Sequence, residues 1–238
     1  MPPTEPLPFT YRGLDILELL KEARNYNNWL ADQVLAACPG GAQRIIDLGA
    51  GCGTFSLLVK ERGLNVQCIE PDATNAALLK QAGLPVEEDL SATAPASLDF
   101  IFTLNVLEHV PEDEALLTQA FEHLRPGGVL YIFVPAFPLL WSSLDDHVEH
   151  QRRYRRRPLV EMLQRVGFTV DCARYADSLG FFAALGFGTK RGAQLTARKI
   201  KIYDRILFPA SLVLDRLVCG TFGKNLAVTC SKPATRHG

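Results

Sequence analysis

The amino-acid sequence predicts an α/β fold built on a mostly parallel sheet with helices on both faces. Three observations carry that expectation. Short β-type runs alternate with segments of helical period, and the runs are apolar rather than alternating, as in strands covered on both faces. Glycine or proline stands just past the helical segments, in "ERGL", "QAGL" and "LRPGG".

The elements follow in order. After a Pro-rich start, Ile16, Leu19, Leu20, Ala23, Tyr26 and Leu30 recur at helical spacing and predict one amphipathic leading helix within residues 10–40. Strands are expected at "RIIDL", "NVQCIE", "LPVEED", "LDFIFT" and "GVLYIFV", with helices from about Phe55 to Glu61, Ala73 to Gln81 and Glu112 to Leu124. Beyond Val134, "PAFPLLWSSLDDHVEHQRRYRRRP" is too long for a mere connector, and such loops in compact domains tend to be functional. A helix from about Pro158 to Val166 and a strand "FTVDCARY" follow. Two apolar helical stretches, roughly Ser178 to Phe187 and Arg198 to Val218, precede a last strand "NLAVTCSK". No internal repeat or low-complexity segment is evident.

At 238 residues the chain is long enough for one sizeable core. A charged share of 21% and a formal charge of -1 give no overall attraction to nucleic acid or acidic membranes. The six cysteines are scattered, without the spacing of a zinc knuckle or redox motif, so reduced thiols in a cytoplasmic protein and no metal are expected. "MPPTEPLPFT" lacks the blocks of a signal peptide, and no apolar run approaches the roughly 20 residues of a spanning helix.

The chemistry starts at "RIIDLGAGCGT", from Arg44 to Thr54. A strand ending near Asp47 that opens into Gly49, Gly51 and Gly53 before a helix lets backbone amides approach a polar or anionic ligand. About twenty residues on, Glu70 ends the next strand, where a carboxylate can accept both hydroxyls of a ribose. A dinucleotide fingerprint would carry its third glycine at Thr54, and the additional glycine here is Gly53, which weakens that reading.

In order from Arg44 to Pro135, "IIDLGAGCGTFSLLV", "CIEPD", "EEDL", "LDFIFTLNVLEHV" and "LRPGGVLYIFVP" resemble the class I S-adenosylmethionine-dependent methyltransferases. The resemblance implies a Rossmann-like, seven-stranded, mostly parallel sheet whose last strand is antiparallel, here with an apolar helical insertion before that strand. It implies S-adenosyl-L-methionine as cofactor and a role for each matching residue. Asp47 would orient the glycine loop and meet the methionine amino group, and Gly49, Ala50, Gly51 and Gly53 would pass under the cofactor. Glu70, with Pro71 after it, would take the ribose diol. Asp89 and Leu90 would read the adenine edge, while Asn105 and Val106 would close the methionine side. Tyr26 and Trp29 are placed over the sulfonium, which an aromatic face attracts, or in core packing. The whole of 1–238 is then one methyltransferase domain: a leading helix (10–40), a cofactor-binding core (44–135), an acceptor-side loop and helical lid (136–222) and the last strand (225–232).

Methyl transfer from a sulfonium is an in-line displacement that mainly requires alignment and exclusion of water. A hydroxyl acceptor must also lose its proton, for which histidine is the natural base. His109 in "LEHV" and His147 and His150 in "LDDHVEHQRRY" are the candidates. The last segment resembles a bacterial methyltransferase subgroup with an aspartate, a Gly-His pair and "RRY". Asp145, His150, Arg152, Arg153 and Tyr154 match, and Glu149 replaces the usual glycine. Asp145 or Asp146 would orient the histidine base, or the same residues knit the loop to the domain.

The five arginines between Arg152 and Arg157 either hold an anionic group of the substrate or form a solvated face, and nucleic acid is not expected. "TLNVLEHV" lacks the Asn-Pro-Pro-Tyr type of motif found in enzymes of the resembled family that methylate base or amide nitrogens. A small, partly hydrophobic acceptor, methylated at oxygen, is the expectation, with carbon still open. Ile200, Ile202, Tyr203, Ile206, Leu207 and Phe208 beside Lys199, Lys201 and Arg205 suggest a weak peripheral membrane contact. The alternatives are an NAD-dependent oxidoreductase or epimerase and a non-catalytic cofactor-binding protein. Oligomeric state is not legible.

Overall fold

In the computed structural model of the chain, residues 13–188 and 196–234 are described, so the Pro-rich start lies outside them. Seven strands form one sheet: β1 (Ile45–Leu48), β2 (Val66–Ile69), β3 (Val86–Glu87), β4 (Leu98–Leu104), β5 (Leu124–Pro135), β6 (Thr169–Ala176) and β7 (Asn225–Ser231), in the spatial order β3-β2-β1-β4-β5-β7-β6. Pairings from β3 through β5 are parallel, whereas β7 runs antiparallel to both β5 and β6. This is the seven-stranded arrangement with a reversed last strand that the resemblance implies. β1 lies between β2 and β4, which places Asp47 beside Cys68 on one side and Phe102 on the other.

The apolar strands bury residues on both faces. Ile46, Ile101, Ile132 and Val228 belong to one core cluster, Ile45, Phe100, Phe102 and Phe133 to the other. Helices α1 (Leu14–Leu20), α2 (Arg24–Ala37), α3 (Thr54–Glu61), α4 (Ala73–Gln81), α5 (Asp113–His123), α6 (Ser143–His147) and α7 (Arg156–Val166) come before β6. Between β6 and β7 lie α8 (Ser178–Gly188), α9 (Ala197–Ile202) and α10 (Phe208–Leu217).

Four local features differ from the sequence expectation, each for a physical reason. The leading helix is two helices, because the break at 21–23 finds partners elsewhere: Asn27 Nδ2 donates to the Leu20 carbonyl (2.9 Å), and the Asp204 carboxylate accepts the α2 amides of Asn25 (3.0 Å) and Tyr26 (2.8 Å). The stretch from Arg198 to Val218 contains one π turn, Tyr203–Leu207. Pro209 has no N–H to give the carbonyl four residues back, and the wider turn accommodates that loss. The long loop holds α6, whose first turn is closed by Asp145 accepting from the Ser142 amide (2.8 Å) and hydroxyl (3.0 Å). Finally, β5 begins at Leu124 instead of Gly128, since Leu124 pairs with Leu98 across a register irregularity.

Asp204 thus does from a distant helix what an N-cap side chain does locally, and it is itself buried. Asp204→Ala is expected to lower the unfolding free energy by about 2–3 kcal/mol, because two amides lose a charged acceptor. Urea denaturation checks this, and a loss under about 0.5 kcal/mol would mean that solvent replaces the carboxylate.

Candidate active site

The carboxyl ends of β1, β2 and β4 meet at one edge of the sheet, where open α/β sheets bind ligands. The turn after β1 takes left-handed backbone at Gly49 (φ 81°), Gly51 (φ 55°) and Gly53 (φ 82°). Two of these glycines are also sterically required. A Cβ on Gly49 would lie 2.5 Å from Val106 Cγ2, and one on Gly53 would lie 2.7 Å from Leu79 Cδ2. Beside Gly51 the nearest neighbour is Leu17 of α1, so that helix lies over the loop.

Asp47 sits beneath this loop, buried, and accepts a hydrogen bond from Ser56 Oγ in α3. Burial drives its carboxyl up to about 7, with the Ser56 bond opposing and the Glu70 charge adding to the rise. Glu70, also buried, accepts from the Gly51 amide (2.6 Å) and the Asp72 amide (2.9 Å). Burial raises its pKa and those two amides pull against it. Pro71 intervenes before Asp72, which caps α4. Asp89 is exposed at the end of the β3 segment, accepts from the Ser91 amide (2.7 Å), and is held below its ordinary pKa by Ser91; Leu90 beside it is buried. Asn105 follows β4 in left-handed backbone (φ 55°), its amide bonded to the Phe133 carbonyl (2.8 Å). A carboxylate that accepts amides at the rim of a glycine turn, with polar side chains from two neighbouring strand ends, is a donor and acceptor set that fits an adenosyl group.

Tyr26 and Trp29 lie in an aromatic group with Phe133 and Phe208, at centroid distances from 5.1 to 6.4 Å, which is the packing alternative.

The residues after Val106 form a helical turn, Leu107–His109, with Leu107 and Glu108 fully buried. The "QRRY" segment clamps this turn. The Gln151 amide donates to the Glu108 carbonyl (2.7 Å), Tyr154 OH to the Leu107 carbonyl (3.0 Å) and to Asp113 (2.7 Å), and Arg152 to the Pro111 carbonyl (2.7 Å) while pairing with Asp113 (2.9 Å). Arg153 makes a forked pair with Asp145 (2.8 and 3.0 Å). The arginines matching the subgroup therefore hold the loop, whereas Arg155, Arg156 and Arg157 are exposed. Glu149 adopts φ 58°, in the left-handed region that glycine favours.

The three histidines separate. His147 is 52% exposed in its side chain and pairs with Asp15 of α1 (3.1 Å). His150 Nδ1 lies 2.7 Å from Asp145 Oδ1, and its ring meets that of His109 edge-on at 4.7 Å. Asp146 instead accepts from Trp141 Nε1 (2.8 Å). Burial would raise the Asp145 carboxyl, but the His150 and Arg153 hydrogen bonds outweigh it and hold the group well below the carboxylate range. An ionised carboxylate only accepts, so His150 Nδ1 donates to Asp145, which turns Nε2 toward Glu108, 3.9 Å from its Oε1. Burial, with the neighbouring His150, lowers His109 to about 4, against a hydrogen bond to the Val148 backbone, leaving it neutral near pH 7. Glu108 is pushed up to about 8 by burial. The sequence reading did not single out Glu108, because "LEH" reads as a packing turn.

A family profile described as "Methyltransferase domain" matches residues 15–173. The chain is 37% identical over 113 residues to trans-aconitate 2-methyltransferase of Azoarcus sp. (strain BH72), covering 44% of each chain. It is 32% identical over 111 residues to the ubiquinone biosynthesis O-methyltransferase of Xylella fastidiosa (strain 9a5c), covering 42% of this chain and 45% of the relative. The chain thus matches under half the length of these relatives. Its fold resembles a SAM-dependent methyltransferase from Archaeoglobus fulgidus with a TM-score of 0.62 at 17% identity, over 91% of this chain and 99% of the other. All six cysteines are unpaired, and no described helix is long and apolar enough to cross a membrane.

Asp47 gives the pH prediction for this site. Its folded pKa, about 7, exceeds the unfolded value of about 4, so the folded state binds more protons in between. That contribution to stability is complete below about pH 4 and is lost as pH rises through about 7. Asp47→Asn should flatten the fall in melting temperature across this window, and an unchanged slope would show that Asp47 is not its source.

Proposed function

The chain belongs to the methyltransferase-domain family, and on that premise we propose that it transfers a methyl group from S-adenosyl-L-methionine to an oxygen of a small, partly hydrophobic molecule. The observation that carries the reading is the geometry of the β1 turn: left-handed glycines with Glu70 bonded to the Gly51 amide, and Gly49 packed against Val106 at the head of the turn that carries His109. S-adenosylmethionine supplies an activated methyl group when bound. Glu70 takes the ribose hydroxyls, Gly49 to Gly53 lie under the donor with Asp47 ordering the loop from below, and Asp89 with Leu90 meets the adenine. Asn105 and Val106 border the methionine end. The entire chain acts as one methyltransferase unit in this reading.

The acceptor enters beside the Leu107–His109 turn. His150, oriented by Asp145, is the residue suited to take the hydroxyl proton through Nε2 as the new bond to carbon forms. His109, neutral and half-enclosed, lines that side, while His147 belongs to the contact with α1. An apolar wall supports a partly hydrophobic acceptor: Phe137, Phe181, Phe182 and Phe222 touch one another across the long loop and α8, and Phe182 and Leu139 are exposed. Oxygen as acceptor is supported by the Xylella relative, an O-methyltransferase by name.

A peripheral membrane contact is favoured by one further observation. Ile202, Ile206, Val213 and Leu217 are exposed along α9, the π turn and α10, with Arg198, Lys201 and Arg205 beside the first two. We infer that this face meets anionic lipid. Flotation with phosphatidylserine vesicles should carry the protein upward at low salt, and Ile206→Asp with Leu217→Asp should abolish it. Absence of the parent protein from the floated fraction removes the idea.

For the main reading, Glu70→Ala is expected to weaken S-adenosylmethionine binding at least about tenfold in calorimetry, with the melting temperature followed in parallel. His150→Gln should bind the cofactor normally and lose about 100-fold or more of methyl transfer to a metabolite extract. Equal cofactor affinity in Glu70→Ala, or no binding by either form, would defeat the proposal. Binding without transfer to any extract component would favour a cofactor-binding protein without turnover.

A further inference from the structure

Glu108 is fully buried, and its carboxyl oxygens find no hydrogen-bond partner beyond the residue's own backbone amide. Among the buried acids of the described residues it is alone in this: Asp47, Glu70, Asp72, Asp113, Asp145, Asp177 and Asp204 all accept hydrogen bonds. The cationic neighbours are already engaged, Arg153 with Asp145 and Arg152 with Asp113. A carboxylate so placed is costly unless something else meets it.

What faces it is a pair of imidazoles. Ligand atoms of Glu108, His109 and His150 lie within 4.8 Å of one another. His150 Nε2, the nitrogen not bonded to Asp145, is 3.9 Å from Glu108 Oε1. Donors about 2.1 Å from one tetrahedral ion stand about 3.4 Å from each other, so the 3.9 Å between His150 Nε2 and Glu108 Oε1 has to close by about half an ångström on loading, which side-chain rotation supplies. Both rings also have a fixed outer partner. His150 is bonded through Nδ1 to Asp145, which Arg153 anchors, and His109 is bonded to the Val148 backbone. Such outer bonds fix the tautomer and aim the other nitrogen, as they do for histidines that hold metals.

We propose that Glu108, His109 and His150 bind a divalent cation of the zinc, manganese or iron(II) class, leaving coordination positions open for an oxygen of the methyl acceptor. One carboxylate with two imidazoles suits these ions and not calcium or magnesium, which prefer all-oxygen sites. The cation's role at the acceptor rests on the methyl-transfer reading, whereas the binding site does not. A hydroxyl bound to such an ion is acidified, and its proton leaves to solvent. In the loaded protein His150 is a ligand and this acidification replaces its action as base.

The test uses chelator-treated full-length protein titrated with Co(II), followed by its visible absorption and by competition with Zn(II). One equivalent of Co(II) should bind, displaced by Zn(II). Glu108→Gln and His150→Gln should each weaken binding at least about tenfold, and Asp145→Asn, one bond further out, by about 10–100-fold. Titration of every variant with S-adenosylhomocysteine reports whether it is folded. A parent protein that binds no Co(II), or folded variants that bind it as tightly as the parent, would overturn the site. Failure of the parent to bind S-adenosylhomocysteine would overturn the methyl-transfer reading instead, with metal binding read separately.

Discussion

The contact between Val106 and the bare Cα of Gly49 sets the geometry on which the rest of this edge depends. With no side chain on Gly49, the valine methyls fill the space a Cβ would occupy, so the turn after β1 and the chain leaving β4 lock together. Asn105 reinforces the register by taking left-handed backbone and bonding β5 through its amide. Leu107 then plunges into the core, which leaves Glu108 and His109 immediately past the end of the sheet. A shift in either strand would therefore move the glycine turn and the histidine turn as one body.

The helices between β6 and β7 and the start of α2 are held by a different device, carboxylates at breaks in regular structure. Asp204 closes the first turn of α2, and Asp215 accepts the amides of Asp177 and Ser178 at the start of α8. Asp177 accepts from the Gly180 amide, the Ser211 hydroxyl and the Tyr203 hydroxyl, tying α8 to α10 and the π turn. These ties cross long stretches of sequence. They let helices inserted between β6 and β7 keep a fixed attitude although the sheet offers them few partners.

The two halves were unequally legible in the sequence. The strands from β1 to β5 were placed correctly, apart from the start of β5, because each is a short β-type run between helical segments, and the glycine turn with its following acid is a local pattern. The break between α1 and α2 was invisible, since no glycine or proline marks it and its stabilising partner, Asp204, lies far along the chain. α6 is too short to show a period, although Ser142 and Asp145 have the spacing of a capping pair. His147 and His150 could not be told apart by spacing. What separates them is which aspartate the fold brings near: Asp145 of the same loop for His150, Asp15 of α1 for His147.

The "LEHV" and "QRRY" segments were each visible as motifs, yet their relation is wholly tertiary. Read together, Tyr154, Arg152 and Gln151 bond the backbone around Glu108, and Arg153 fixes Asp145, which fixes His150. The second motif is thus a support for the first. Neither arginine needs to touch an acceptor for its loss to disturb the site. This also explains how Glu149 can stand at a left-handed position: flanking bonds from Asp146, Asp145 and Glu108 to residues 149, 150 and 151 determine the backbone, so a strain of order 1 kcal/mol at one residue is tolerated.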